Sequence, residues 1–296
     1  MRVSNAFLNL LESLLTDRSQ ITYIRNFNSD SLPIYIYIYR GVQQGSILSP
    51  LLFNCFINDL LESQFSNHLT AYADDLKLFG IPGTTLHKDL QTITDWTTNN
   101  EMKITTSKCE VLHIGAKNPG ISYHIVGAFI PTVNKIRDLG LIVDKNLSFR
   151  DHVCELKLKA LRLIAMLFKS FSSKSPRLYL FAYLTYILPI VEYCSVCYSK
   201  NSATNTKVIE KIPKIFSRKP YIRLYRSTSH LIIPSYCDRL KLFQLPTLES
   251  RSTKADLLTL YKIIHNHISV PLFRIILSSF PSHTTNNLTP STTIII

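Results

Sequence analysis

Asp74 and Asp75 stand side by side in Ala71-Tyr72-Ala73-Asp74-Asp75, between two short apolar runs, Leu69 to Ala73 and Leu76 to Phe79. Runs of that length around a polar pair predict a β-hairpin with the acids at its tip. Neighbouring carboxylates repel, so a cation is the natural agent to hold them together. A hard divalent ion such as Mg²⁺ binds through one or two carboxylates plus substrate phosphates. Two such ions can clamp both the attacking and the leaving oxygen of a phosphoryl transfer. A solvated acidic turn is the competing account of the same two residues.

Upstream, Arg40-Gly41-Val42-Gln43-Gln44-Gly45-Ser46-Ile47-Leu48-Ser49-Pro50 leads into Leu51-Leu52-Phe53-Asn54-Cys55-Phe56-Ile57-Asn58-Asp59-Leu60. Gly41 and Gly45 bracket a segment whose backbone can approach a ligand closely. Ser49 suits an N-cap and Pro50 the first helical position. Leu51 to Leu61 is apolar almost all round, which predicts a buried helix. A loop on the start of such a helix can face phosphate with free N–H groups, or it can simply join a strand to a core helix.

This block resembles the G-x-P-Q-G-S-x-L-S-P-L-L-F segment of reverse transcriptases from non-LTR retrotransposons of the jockey and CR1 type, with Gln43 in place of the family's proline. The gap to Tyr72-Ala73-Asp74-Asp75 fits the same family. Trp96, Asn100, Met102 and Ser107-Lys108-Cys109 resemble its W-x-x-x-N-x-M…K-C segment. Asp138-Leu139-Gly140, Asp144, Leu147 to Phe149 and His152 resemble its L-G-V-x-x-D-x-x-L-x-F-x-x-H block, and Pro189, Glu192-Tyr193 and Ser195 its P-x-x-E-Y-x-S signature. The likeness runs from about Leu11 to about His267.

The resemblance implies RNA-directed DNA polymerase chemistry on an RNA template and a DNA primer or RNA–DNA hybrid, with deoxynucleotides as substrates. Asp74 and Asp75 would hold Mg²⁺, and Gln44, Gly45 and Tyr72 would contact nucleotide and template. Lys108 would protonate the leaving pyrophosphate, although a surface lysine beside a buried Cys109 is the plainer account. The family's third carboxylate comes from an earlier strand in a D-x-x-x-A-F-D-like motif. The acids before Gly41 are Glu12, Asp17 and Asp30, none in such a run. Asp17 lies in a segment resembling the family's later L-x-x-R-x-Q motif, and Asp30, between serines and ahead of Pro33, reads as a turn. The expectation is a reverse transcriptase truncated at its N-terminus and inactive alone, since Mg²⁺ demands near-ideal octahedral coordination.

The elements that must position these residues follow from periodicity. Phe7 to Leu15 reads as a helix, and Ile21 to Arg25 and Ile34 to Tyr39 as strands. Thr85 to Asn99 reads as a helix with Leu86, Leu90, Ile93 and Thr97 on one stripe. Strands are expected at Glu110 to Ile114, Tyr123 to Val126 and Leu139 to Val143. The fold class is α+β, a partial palm of antiparallel sheet and covering helices over 1–143. A helical, basic, thumb-like region follows over 144–280, then a loose tail over 281–296 rich in Ser, Thr, Asn and Pro. Ser148 is expected to cap a helix whose seam is Phe149, Val153, Leu156, Ala160, Leu163 and Leu167, with Lys157, Lys159, Arg162 and Lys169 mostly off it.

Charge separates the two regions. Residues 1–143 hold 11 basic and 12 acidic residues, and 144–296 hold 22 and 8, so the whole net charge of +13 sits in the second half. Such a one-sided field suits a polyanion. Lys200, Lys207, Lys211, Lys214, Arg218, Lys219, Arg223 and Arg226, with Phe216, Tyr221 and Tyr225 interleaved, read as a nucleic-acid surface combining phosphate contacts with stacking. The alternative function is therefore a non-catalytic nucleic-acid-binding protein that uses this basic half. Six scattered cysteines, several in apolar runs, suit buried thiols in a reducing nuclear or cytoplasmic setting. Cys194-x-x-Cys197 has no second pair at zinc-finger spacing. The amphipathic start is not a secretory signal. Leu178 to Tyr198 is long and apolar enough for a membrane span, but Pro189 and Glu192 favour two buried helices bent at the proline. No obligate protein partner is evident.

Overall fold

The computed structural model describes residues 4–26, 29–39, 41–173, 175–198, 202–225, 232–268 and 291–296. It is a mixed α and β protein. Helix α1 (Asn5–Leu15) is capped by Ser4, whose hydroxyl accepts the Phe7 N–H at 3.4 Å, and buries none of its side chains. Strands β1 (Arg18–Asn26) and β2 (Ser29–Ile38) pair antiparallel as a separate two-stranded sheet. Asp30, expected in a turn, instead lies within β2, whose first residue Ser29 already pairs with Asn26.

Helix α2 (Ser49–Glu62) starts with Leu48 as its cap, not Ser49. The Ser49 hydroxyl instead reaches back to donate to the Gln43 carbonyl and closes the Gln-Gly loop onto the helix. The expectation of a helix buried all round is corrected. Ile57 and Leu60 face the core, while Leu51 is 58% and Phe56 41% exposed. The sheet covers one face only.

Strands β3 (His68–Tyr72) and β4 (Asp75–Gly80) form the expected hairpin, and α3 (Thr84–Asn99) buries Leu86, Leu90, Ile93 and Thr97 as its stripe predicts. A 3₁₀ turn, Thr106–Lys108, precedes β5 (Glu110–Ile114). The expected strand at 123–126 shortens to β6 (His124–Ile125), paired with β7 (Ala128–Phe129); the fully buried Tyr123 just before it still accepts the Ile130 N–H at 2.9 Å. β8 (Thr132–Val133) follows, then the hairpin β9 (Lys135–Asp138) and β10 (Leu141–Asp144).

Helix α4 (Arg150–Ser170) begins after Phe149, which adopts a left-handed φ of 53°, so Ser148 is not the cap. Its seam is as expected except that Ile164, rather than Leu163, turns fully inward. Then come α5 (Pro176–Ala182), a π turn Tyr183–Ile187, α6 (Leu188–Glu192), α7 (Ser195–Tyr198), α8 (Ala203–Tyr225), α9 (Tyr236–Leu242) and α10 (Leu248–Ile264). The irregularity expected at Pro189 appears upstream, where the Leu188 N–H bonds the Tyr183 carbonyl in the wider turn. No helix of the described residues is long and apolar enough to cross a membrane. Their core joins α4, α5 and α8 through Phe168, Tyr179, Tyr183 and Phe216. Phe168 stacks on Tyr179 at 4.5 Å and Tyr183 on Phe216 at 4.1 Å between centroids.

The final element corrects the loose-tail expectation over 291–296; residues 281–290 lie outside the described residues. Ser291–Ile295 forms β11, the middle strand of a five-stranded sheet of order β3-β4-β11-β5-β8. Thr292 and Ile294 are fully buried. Its β-branched Thr and Ile residues suit a pleated, two-sided environment; composition over a longer window hid that. The sheet is also not wholly antiparallel, because β5 and β8 pair parallel. Among the cysteines only Cys109 is buried, Cys194 is half-buried and the other four are exposed, so most of the thiols do not serve the core as expected.

Candidate functional site

The acidic pair sits at the hairpin tip. Tyr72 pairs with Asp75, leaving Ala73 and Asp74 as a two-residue turn. Ala73 takes a left-handed φ of 52°, a conformation that side chains disfavour but that short hairpin turns require. Tyr72, Asp74 and Asp75 are all exposed, and Leu76 directly after them is buried. Leu76 packs with Ile57 and Leu60 of α2 and Ile93 of α3, and Phe53, Ala71 and Trp96 complete that core. One core thus holds both the hairpin and the helix that carries the Gln43-Gln44-Gly45 loop. Gln44 and Gly45 are exposed, and Gly45 uses a φ of 85°.

Three ties fix the hairpin from outside. Asp89 of α3 is 2% exposed, and its carboxylate accepts the Ser66 N–H at 3.0 Å, the Asn67 N–H at 2.9 Å and the Asn67 Nδ2 at 2.7 Å. It anchors the backbone just before β3. Lys77, two residues past Asp75, pairs with Asp138 at the end of β9. Tyr193 donates its hydroxyl to the Leu139 carbonyl at 2.7 Å, so the turn after Asp138 is latched to the α6–α7 corner. None of these ties was visible in the sequence. The partners lie far apart along the chain, although Asp138-Leu139 and Tyr193 each stand inside a segment that resemblance had singled out.

The other singled-out segments build the frame. The Asp144 carboxylate accepts the N–H groups of Asn146, Ser148 and Phe149 at 3.0, 3.1 and 2.8 Å, and so shapes the turn into α4. His152 is buried and accepts the Ile142 N–H at Nδ1 (3.4 Å). Burial pushes its ring below the ordinary 6.5. Asn100 donates from its side chain to the Trp96 carbonyl at 2.9 Å and closes α3. Burial raises the Cys109 thiol.

Residues 5–143 match the family of reverse transcriptases (RNA-dependent DNA polymerases). They are a reverse-transcriptase segment, of the kind carried by non-LTR retrotransposons. Among relatives, the RNA-directed DNA polymerase from mobile element jockey of Drosophila funebris is 28% identical over 137 residues, 41% of this chain and 15% of that protein. A putative 115 kDa protein in the type-1 retrotransposable element R1DM of Drosophila melanogaster is 28% identical over 137 residues, 44% of this chain and 13% of that protein. An uncharacterized protein of Caenorhabditis elegans is 28% identical over 138 residues, 47% of this chain and 67% of its own length. No solved structure matches.

The reverse-transcriptase segment brings together only part of the residue set that its sequence singles out. Asp74 and Asp75 offer two carboxylates at one tip. Among the described residues, no group of three or more His, Cys, Asp or Glu side chains stands where it could hold a metal ion. Asp138 is taken by Lys77, and Asp89 by three donors. The residues present therefore fall short of a complete divalent-metal site. Lys108 is exposed at the end of the 3₁₀ turn. Glu110, Ile295 and Lys77 lie level across β5, β11 and β4, so Lys108 and Asp75, each two residues earlier, stand at the same end of the sheet. Two strand spacings, about 10 Å, separate their strands.

Beyond the reverse-transcriptase segment, Lys207, Lys211, Lys214 and Arg218 are exposed at four- and three-residue steps on α8, one stripe of the helix. Lys219 is half-buried, with Nζ 5.3 Å from the Phe168 ring centre. Arg223 turns inward and donates to the carbonyls of Phe168 and Phe171 and to the Tyr179 hydroxyl. Phe216, expected to stack on bases, is instead wholly buried against Tyr183. Arg226 lies outside the described residues.

Proposed function

We propose that residues 5–143 are the palm part of an RNA-directed DNA polymerase and that the helices after Asp144 are its thumb-like grip. The observation that carries this reading is the acidic hairpin itself: two adjacent exposed carboxylates, Asp74 in the two-residue turn and Asp75 at the start of β4, on the core that also seats the helix of the Gln-Gly loop. In a complete enzyme Asp74 and Asp75 would supply two of the carboxylates for Mg²⁺, with Tyr72, Gln44 and Gly45 against nucleotide and template and Lys108 near the pyrophosphate. The reaction would be RNA-templated addition of deoxynucleotides to a primer 3′ end.

This chain alone is inactive in the same proposal, because a catalytic unit missing one member loses orders of magnitude in rate. Primer extension on an RNA template, with Asp74→Ala as control, tests it. The expected result is no template-dependent product from either protein. Product from the unmutated chain that disappears in the control would restore full activity to it.

The exposed stripe of Lys207, Lys211, Lys214 and Arg218 favours a second reading, nucleic-acid binding without catalysis. Retention of an RNA–DNA hybrid in a binding assay, alongside silence in primer extension of a longer chain bearing the upstream acidic motif, would select it.

A further inference from the structure

β3, β4, β5 and β8 all come from residues 68–133, and β11 from 291–295. β11 runs antiparallel to both neighbours, pairing Thr292 to Ile295 with Gly80 to Lys77 on one side and Ser291 to Ile295 with Ile114 to Glu110 on the other. β4 and β5 meet only through it, across a gap of about two strand spacings, ~10 Å, that one extended chain fills. Two inward side chains supply the fit. Ile294 is fully buried in the core of Leu78, Leu90, Val111 and Tyr123, and Thr292 lies 3.2 Å from His113 Nδ1 through its hydroxyl. Main-chain bonds along both edges, with pockets for alternate side chains, are the physics of strand addition.

The ladder also fixes what stands beside the aspartates. Leu76 and Ile296 exchange both N–H···O bonds, at 3.0 and 3.3 Å. The place opposite Asp75 therefore belongs to whatever residue follows the Ile296 position in the occupying strand.

We propose that the gap between β4 and β5 is a strand-acceptor slot, held here by Ser291–Ile296, that takes an extended peptide in trans and through it sets which side chain stands beside Asp75. The slot is independent of the polymerase reading; only the consequence for the aspartates rests on it.

The test uses the full chain and two labelled peptides, Ser-Thr-Thr-Ile-Ile-Ile and the same peptide with one aspartate added at its C-terminus. Ile294→Asp drives a charge into the buried position and expels the resident strand. Fluorescence anisotropy should show this variant binding both peptides at least about tenfold tighter than the unmutated chain, whose own strand competes at high effective concentration. If the variant does not fold alone, recovery of its far-UV circular dichroism on adding peptide reads the same event. Phe79 and Thr293 form a non-hydrogen-bonded pair, the closer kind, suited to a disulfide. Oxidised Phe79→Cys/Thr293→Cys chain should bind no peptide, and reduction should return it to the unmutated level. Equal binding by the Ile294→Asp, unmutated and oxidised chains, or neither binding nor rescue in Ile294→Asp, overturns the slot. A Mn²⁺ titration followed by electron paramagnetic resonance then separates the two ideas. Tighter Mn²⁺ binding with the aspartate-tailed peptide, lost in Asp75→Ala, supports the consequence. Peptide binding with no change in Mn²⁺ leaves the slot standing and removes the metal role of Asp75.

Discussion

Asp89 shows how a carboxylate can matter at this site without touching a ligand. Replacing it by alanine removes the acceptor for the part-buried N–H groups of Ser66 and Asn67, and the hairpin loses its fixed starting point. We expect Asp89→Ala to lower unfolding free energy by about 2–3 kcal/mol, read from the urea midpoint, while Asp74→Ala on the exposed tip leaves the midpoint nearly unchanged. Local pattern could flag Asp74 and Asp75, because two charges interrupt apolar runs. It could not flag Asp89, whose partners lie 22 and 23 residues away. His152 adds a pH dependence. Its folded ring titrates below the ordinary 6.5 because burial disfavours the charged form. As pH falls, the unfolded chain takes up that proton first. The contribution is therefore whole above 6.5 and is lost as pH drops through the lowered value. Urea midpoints should fall from about pH 7.5 to about pH 5, and His152→Gln should flatten part of that decline.

Elements were legible where one periodic face meets one core. The stripe of α3 and the seam of α4 are of this kind, and both bury the residues their spacing marks, save that Ile164 takes the place of Leu163. α2 was misread because an all-apolar helix says nothing of how many faces its neighbours cover. The basic run of α8 was read as a single surface, yet its cations divide. Arg223 closes the end of α4 through the carbonyls of Phe168 and Phe171, with its guanidinium 5.2 Å from the Phe168 ring centre. Arg223→Ala should therefore cost about 1–3 kcal/mol of stability. Lys211→Glu with Lys214→Glu should leave stability within about 0.5 kcal/mol and weaken binding to a single-stranded RNA. Thermal melts beside filter binding separate the two classes.

The molecule as a whole is electrically lopsided, near neutral over 1–143 and strongly basic after it. That asymmetry was plain in the sequence, and it bears on the partner rather than on the fold. If the four exposed cations of α8 each meet a phosphate, the logarithm of affinity for single-stranded RNA should fall against the logarithm of salt with a slope near about −3. A slope near zero in a salt titration would remove them from the interface.

The central position of β11 also bears on how the protein is made. Its Thr292 meets His113 across 179 residues of sequence, so the middle of the sheet closes only after the ribosome has passed every helix described. Until then β4 and β5 wait with open edges and an unfilled hydrophobic seam, a state prone to self-association. Contacts this distant along the chain form slowly. The nascent protein thus has a window of vulnerability, and a chaperone that shields extended edges would shorten it.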